Sequence, residues 1–261
     1  MNANSLGLLN SLADILNAGK RDSDYAIACY LIAHIDGLSG VSITDIMTEA
    51  FVTRSAVRRF CNRIGFMSFS DFKSHMTVAS YPSDLNHRDT RVDIAAYRAD
   101  LDRSIASSLR ETSAAVSNEA IVGLAHDLHD FEHVTLACAN NTSGILGRFQ
   151  QELFYVRKVV HIVSDIYQDR LADVPAGERQ LLIVVSASGV FARSLEGWIQ
   201  EIPAQKYLVT AIAESVDTSL YDRVYRLNRT RISYDRLGLF GKYGISYFFD
   251  LLSACYLNLY A

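Results

Sequence analysis

Several features are scarce or missing in this 261-residue chain, and each absence closes off a class of function. Paired cysteines are missing. Cys29, Cys61, Cys138 and Cys255 lie far apart with no CxxC pair, which excludes a zinc ribbon or a redox motif. They read as buried free thiols in a reducing cytosol. An excess of basic charge is missing too: 25 Lys+Arg stand against 29 Asp+Glu, a net charge of −4. That argues against a polybasic nucleic-acid coat but not against a local basic patch. The first twenty residues, MNANSLGLLNSLADILNAGK, have no basic segment ahead of an apolar stretch and do not read as a secretory leader. No apolar run is unbroken over a membrane's width. The most apolar stretch, 237–260, is interrupted by Lys242 and Asp250 and reads as a buried or interface helix. A cytoplasmic protein with no membrane partner is therefore expected. With 49% apolar and 21% charged residues, it has enough apolar material for a packed core in one large or two ordinary domains.

The chain changes character once. Residues 1–79 carry only helix-period patterns, with helices expected near 4–17, 22–35, 43–50, 54–64 and 69–78. Asp22, Ser42 and Thr53 are candidate N-caps for the second, third and fourth, and Gly65 sits where a left-handed residue would end the fourth. The polar segment 80–92, with its proline, reads as a linker. Residues 93–261 begin with a helix over 93–113, with apolar positions Ile94, Leu101, Ile105 and Leu109, and a further helix capped by Ser117. Strands are then expected at 134–139, 159–163, 181–186, 207–213 and 224–227. Helical segments separate them near 143–157, 165–172, 190–201 and 217–222. This alternation implies an α/β fold with a parallel sheet, which binds ligands at the carboxyl ends of its strands.

In the run 53–65, Val57, Phe60, Cys61 and Ile64 fall at i, i+3, i+4 and i+7 and form one buried stripe. The opposite face carries Ser55, Arg59 and Asn62, flanked by Arg58 and Arg63. Residues 50–70 hold four arginines and no acid, although residues 1–80 as a whole hold seven basic and seven acidic residues. Such a helix fits the major groove: arginine donates two hydrogen bonds to guanine or pairs with phosphate, and a helix N-terminus favours phosphate. The preceding helix, 43–50, is close enough to act as its support. Thr53, Arg54, Ser55, Arg58, Arg59, Asn62 and Arg63 are the candidate DNA-binding residues. Charge pattern by itself leaves open an ordinary solvated basic face.

The segment ITDIMTEAFVTRSAVRRFCNRIGFMSFSDFK (43–73) resembles the helix-turn-helix of the RpiR family of bacterial regulators. The likeness rests on Thr53, Val57, Arg59-Phe60-Cys61, Gly65-Phe66 and the run Phe-Ser-Asp-Phe-Lys at 69–73. It implies an N-terminal domain (1–79) that binds operator DNA and a C-terminal sugar isomerase (SIS) domain (93–261), flavodoxin-like, that binds a phosphosugar effector. Ser186-Ala187-Ser188-Gly189, between a strand and a helix, is similar to the SxSG phosphate loop of SIS domains. Serine hydroxyls and helix N-terminal N–H groups can cradle an oxyanion there. The loop after the first strand adds Asn140, Asn141, Thr142 and Ser143. The implied ligand-binding residues are therefore Asn140, Asn141, Thr142, Ser143, Ser186, Ser188 and Gly189. The chain departs from the family at Ala137 and Ala139, where glycines are typical, and at Phe191, where threonine is common.

Two constellations are set aside. His126, His129 and His133 would share a helical face only if one helix ran through all three, and that segment spans a helix end and a strand start. Asp165, Asp169 and Asp173 read as an exposed short helix. No catalytic residue, metal or cofactor is expected. The leading function is regulation of carbohydrate-metabolism genes by a homodimer or tetramer that responds to a phosphosugar. The alternatives are a DNA-binding regulator whose SIS domain only holds copies together, and a phosphosugar isomerase using Glu152 or Glu196 as its base.

Overall fold

The computed structural model describes residues 5–75, 93–164, 179–229, 232 and 236–261. The chain divides into two compact units, Met1–Tyr81 and Pro82–Ala261.

The first unit is helical: α1 (Ser5–Asn17), α2 (Ser23–Ala33), a 3-10 segment (Ile35–Gly40), α3 (Ile43–Glu49), α4 (Arg54–Arg63) and α5 (Phe69–His75). Each expected cap is made. The Asp22 carboxylate accepts the Asp24 and Tyr25 N–H groups at the start of α2. Ser42 and Asp45 form a reciprocal capping box at α3, and these bonds hold the Asp45 carboxyl below its ordinary pKa. The Thr53 hydroxyl accepts from Ala56 N–H at 3.2 Å to open α4. Gly65, at φ +91°, ends α4. There Phe66 N–H donates to Cys61 C=O at 2.8 Å and Gly65 N–H to Asn62 C=O at 3.2 Å, the two bonds of a Schellman turn. The core joins Leu12 of α1, Ile27 and Leu31 of α2 and Ile46 of α3 to Val57, Phe60 and Cys61 of α4 and to its C-cap, Ile64. Phe66 meets Phe72 edge to face with ring centroids 5.3 Å apart.

The second unit opens with α6 (Ile94–Ala115), capped by Asp93, and α7 (Asn118–Asp130), capped by Ser117. Strands β1 (His133–Cys138), β2 (His161–Ser164), β3 (Gln180–Val185), β4 (Gln205–Thr210) and β5 (Arg223–Arg226) form one parallel sheet in the order β2-β1-β3-β4-β5. This is the flavodoxin-like order, in the α/β class expected. Strand β3 is buried along its whole length and divides the core. Leu181, Ile183 and Val185 pack with Leu124 and Leu128 of α7, with Leu146 and Phe149 of α8 (Asn140–Phe154), and with Phe248 and Leu252 of α12 (Ile245–Tyr260). Leu182 and Val184 pack on the other side with Phe191 of α9 (Val190–Ser194) and Ile199 of α10 (Glu196–Glu201).

The structure corrects several expectations. Cys29 is exposed, because Ile27, Ala28, Tyr30 and Leu31 take the inward positions of α2. The buried residues of α6 are Ser108 and Thr112 in place of an apolar stripe. Their hydroxyls donate to the carbonyls of Ile105 and Ser108, so burial leaves neither unsatisfied. Ile94 is 70% exposed. The segment 190–201 is two short helices broken at Leu195, and 217–222 holds only a 3-10 turn, Thr218–Leu220. The C-terminal segment begins with one α-helical turn, α11 (Leu237–Leu239), then a π-helix, Phe240–Gly244, before α12. Small residues permit that packing: a Cβ on Gly244 would come within 3.3 Å of the Thr112 hydroxyl. The expected linker 80–92, the helix near 165–172 and Asp165, Asp169 and Asp173 lie outside the described residues.

Burial pushes the Cys61 thiol up to about 11, and Cys138 is wholly buried. A thiol reagent applied to the native chain is expected to modify Cys29 first and to reach Cys61 and Cys138 only when denaturant is added. Peptide mapping of the labelled chain checks this order.

Candidate functional site

Two separate regions carry candidate chemistry, one in each unit. In the first, the packing of α4 fixes which of its side chains face outward. Because Val57, Phe60, Cys61 and Ile64 are buried, Ser55, Arg58, Arg59, Asn62 and Arg63 are exposed, with Thr53 and Arg54 at the helix start. These residues differ in how freely they can meet a partner. Arg54, Arg58 and Arg59 have no ion-pair partner among the described residues. Arg63 is held by Asp24 of α2 at 2.7 Å and ties two helices together. The Asn62 amide, oriented so that its nitrogen donates, reaches the carbonyls of Phe66 and Met67 at 3.0 and 3.1 Å and braces the turn after α4. Ser55 Oγ lies 2.9 Å from Thr53 Oγ1, within the cap itself. The arginines at 54, 58 and 59 thus form the unengaged cationic part of the face.

The second region lies at the carboxyl ends of β1 and β3, neighbours in the sheet with Cys138 paired to Val185. In this strand order the chain leaves β1 toward one side and β3 toward the other, so a crevice opens between them. Asn140–Ser143 were expected in a loop, yet they form the first turn of α8, with Ala139 as an N-cap that contributes no side-chain bond. First-turn N–H groups of a helix favour an anion, and here that of Thr142 already donates to Ala139 C=O at 2.9 Å. Thr142 is buried and donates to the Asn141 side-chain carbonyl at 3.3 Å.

Ser186 to Gly189 leave β3 beside this turn. Ser186 Oγ accepts from Ala192 N–H at 3.3 Å, and Ser188 Oγ accepts from Val190 N–H at 3.4 Å. Both serines therefore cap α9, and each hydroxyl keeps its own proton to donate. Gly189 has φ +74°, and a Cβ there would lie 2.2 Å from Ser215 Oγ, so no larger residue fits without rearrangement. The loop is braced from outside by residues the sequence reading did not single out. Ala211 N–H and the Thr210 hydroxyl donate to Ala187 C=O at 3.0 and 3.4 Å. Ser215 Oγ faces the carbonyls of Ile212 at 3.0 Å and Ser188 at 3.3 Å, sharing its one proton between them, and Arg193 holds Ser215 C=O at 2.8 Å. The π-helix also comes close, since a Cβ on Gly241 would be 3.8 Å from that of Ala187. Thr210 ends a strand and Ser215 follows it, a position typical of α/β binding loops, which is the one sequence signal they carry.

The departures at Ala137 and Phe191 fall in the core. Ala137 is a β1 residue paired with Val184, and the Phe191 ring packs in the same cluster, so neither side chain fills the crevice. The histidines do not converge. His126 and His129 turn to Tyr260 and Tyr256 of α12, while His133 starts β1. Among the described residues no group of three His, Cys, Asp or Glu side chains could hold a metal ion. No helix there is long and apolar enough to cross a membrane.

Residues 10–83 match the sequence model of the helix-turn-helix domain of the rpiR family. The N-terminal unit is a helix-turn-helix domain of that family, as the residues at 43–73 led us to expect. No curated protein sequence matches the chain. Among solved structures, the NanR protein of Vibrio vulnificus, determined in complex with ManNAc-6P, is similar at a TM-score of 0.51 and 19% identity. The similarity covers 97% of this chain and 92% of that one, and it shows a shared fold. The sugar isomerase domain of an RpiR transcription factor from Sphaerobacter thermophilus is similar at a TM-score of 0.49 and 16% identity, over 62% of this chain and 90% of that one.

Proposed function

We propose that this chain is a cytoplasmic transcription regulator of carbohydrate-metabolism genes. On this reading α4 binds operator DNA, and a phosphosugar bound between β1 and β3 biases the arrangement of a homodimer or tetramer. The observation that carries the DNA half is the outward face of α4: Arg54, Arg58 and Arg59 are exposed, without an ion-pair partner among the described residues, at the start and along the length of a helix whose other face is core. Arginine so placed meets phosphates and guanine edges when the helix enters a major groove. Arg63 and Asn62, already engaged by Asp24 and by the turn carbonyls, serve to hold the reading helix in place. The ligand half is supported by the β1/β3 crevice, where the first turn of α8 and the Ser186–Gly189 loop present N–H and hydroxyl donors together. That chemistry suits a phosphate, and the NanR protein of similar fold was solved with a phosphorylated sugar. Coupling to DNA requires that the ligand bind one arrangement of the copies more tightly than another.

One of the two bases offered by the isomerase reading, Glu152, meets a geometric obstacle. Glu152 lies twelve residues along α8 from Asn140, about 18 Å of helix away from the strand ends, and it pairs with Arg148 at 3.1 Å. One observation favours the scaffold reading: the N–H groups of Val190 and Ala192 already donate to the two loop serines, so a phosphate there would meet the serine hydroxyls but not those two helix N–H groups.

Two measurements test the proposal. Arg59→Ala is expected to weaken affinity for the selected operator by about 10- to 100-fold, the range for losing one bidentate base contact, with the melting temperature unchanged. Operator affinity equal to the parent's would remove Arg59 from the interface. A panel of phosphosugars at about 100 times Kd should stabilise the chain by about 2.7 kcal/mol. The shift should vanish in a Ser186→Ala/Ser188→Ala double variant, and no shift with any phosphosugar would favour the scaffold.

A further inference from the structure

The turns that end α3 and α4 share two features, a left-handed residue and a backbone bond from the next N–H back across the turn. After α4 the left-handed position is Gly65, and Phe66 N–H reaches back to Cys61 C=O at 2.8 Å. After α3 that position is Phe51, at φ +53°, and Val52 N–H reaches back to Met47 C=O at 3.2 Å. A left-handed backbone is unfavourable for any L-residue other than glycine. Asn and Asp soften the penalty with local hydrogen bonds, which a phenylalanine side chain cannot make. The ring gives the fold nothing in return, for it is 93% exposed and takes no part in the core built by its neighbours. Phe51 is thus doubly unfavourable for folding, in backbone and in solvation, and such positions concentrate at functional sites.

Its surroundings indicate which partner it suits. Phe51 stands two residues before Thr53, the N-cap of α4, at the end of the helix that presents Arg54, Ser55, Arg58 and Arg59. No acid occurs between residues 50 and 70. A protein or a second copy docking on this ring would also have to bury three unpaired arginines, whereas a DNA duplex neutralises them. In the major groove the apolar group on a base edge is the C5-methyl of thymine.

We propose that Phe51 is a base-reading residue, whose ring contacts the C5-methyl group of a thymine at the edge of the arginine face. This rests on the DNA-reading assignment of α4 and adds a sequence preference to it.

The test uses the full chain and a duplex that the parent protein selects from a random pool. Each thymine of that duplex is replaced singly by uracil, which removes only the methyl group, and affinities are measured for the parent, Phe51→Ala, Phe51→Gly and Arg59→Ala. The parent should lose about fourfold at one thymine position of the site, the factor expected for one buried methyl group. Both Phe51 variants should be indifferent to uracil there, and Phe51→Gly should melt at or above the parent temperature, which excludes unfolding as the cause. Arg59→Ala should bind every version more weakly yet keep the uracil penalty. Equal uracil penalties in the parent and in Phe51→Ala would overturn the proposal, as would no penalty in the parent. So would Phe51 variants that alter only the association of copies. A parent chain that selects no duplex would overturn this proposal together with the DNA-reading assignment, an outcome distinct from intact binding with unchanged penalties.

Discussion

Four side chains on one face of α4 and its C-cap, at positions 57, 60, 61 and 64, determine most of what the first unit can do. Their burial against α2 and α3 leaves a single face of that helix outward, and that face holds the arginines at 58 and 59. Local bonds then fix the ends. Thr53 caps the start, Gly65 turns the chain after the end, and the Arg63–Asp24 ion pair holds the helix to α2. An exposed ion pair of this kind contributes only about 0–1 kcal/mol. Its value lies in orientation, and the apolar stripe supplies the stability. Truncating Phe60 in such a core would cost about 3–5 kcal/mol, so a change in the core disturbs the outward face, whereas a change on the outward face leaves the core intact.

The second unit follows the same logic with a sheet in place of a helix. A parallel sheet buried on both faces leaves polar groups free only at its strand ends, and the β2-β1-β3-β4-β5 order opens a crevice between β1 and β3. The loop there is tightly constrained. Gly189 has no room for a side chain, Thr210 and Ala211 hold Ala187, and Ser215 with Arg193 closes the outer side. Such bracing fixes the loop's hydroxyl donors in place, and a group already fixed costs little further ordering on binding.

Much of this was legible in the sequence, and what was not has identifiable causes. Helix starts were legible because Asp22, Ser42, Thr53 and Ser117 are side chains that cap by short-range bonds. The start of α8 was hidden because its cap is Ala139, which has no such bond to offer. The stripe of α4 was legible because it is periodic, and Cys29 was misread because residue type says less than position on the helix. The buried serine and threonine of α6 were missed because their hydroxyls satisfy themselves on the helix's own carbonyls. The π-helix was missed because one inserted residue in a single turn leaves no mark on a mostly apolar segment. The capture of Arg63 by Asp24 and the bracing of Ser188 by Ser215 join residues distant in sequence, which local patterns do not encode.

The central claim is that the unpaired arginines of α4 meet DNA phosphates and bases. The most direct measurement is the salt dependence of affinity for the selected duplex, compared between the parent and variants lacking Arg54, Arg58 or Arg59. The account predicts that log Kobs falls linearly with log salt concentration, and that the slope becomes shallower by about one for each phosphate-contacting arginine removed. A parent affinity indifferent to salt, or a slope unchanged when all three arginines are replaced, would contradict it.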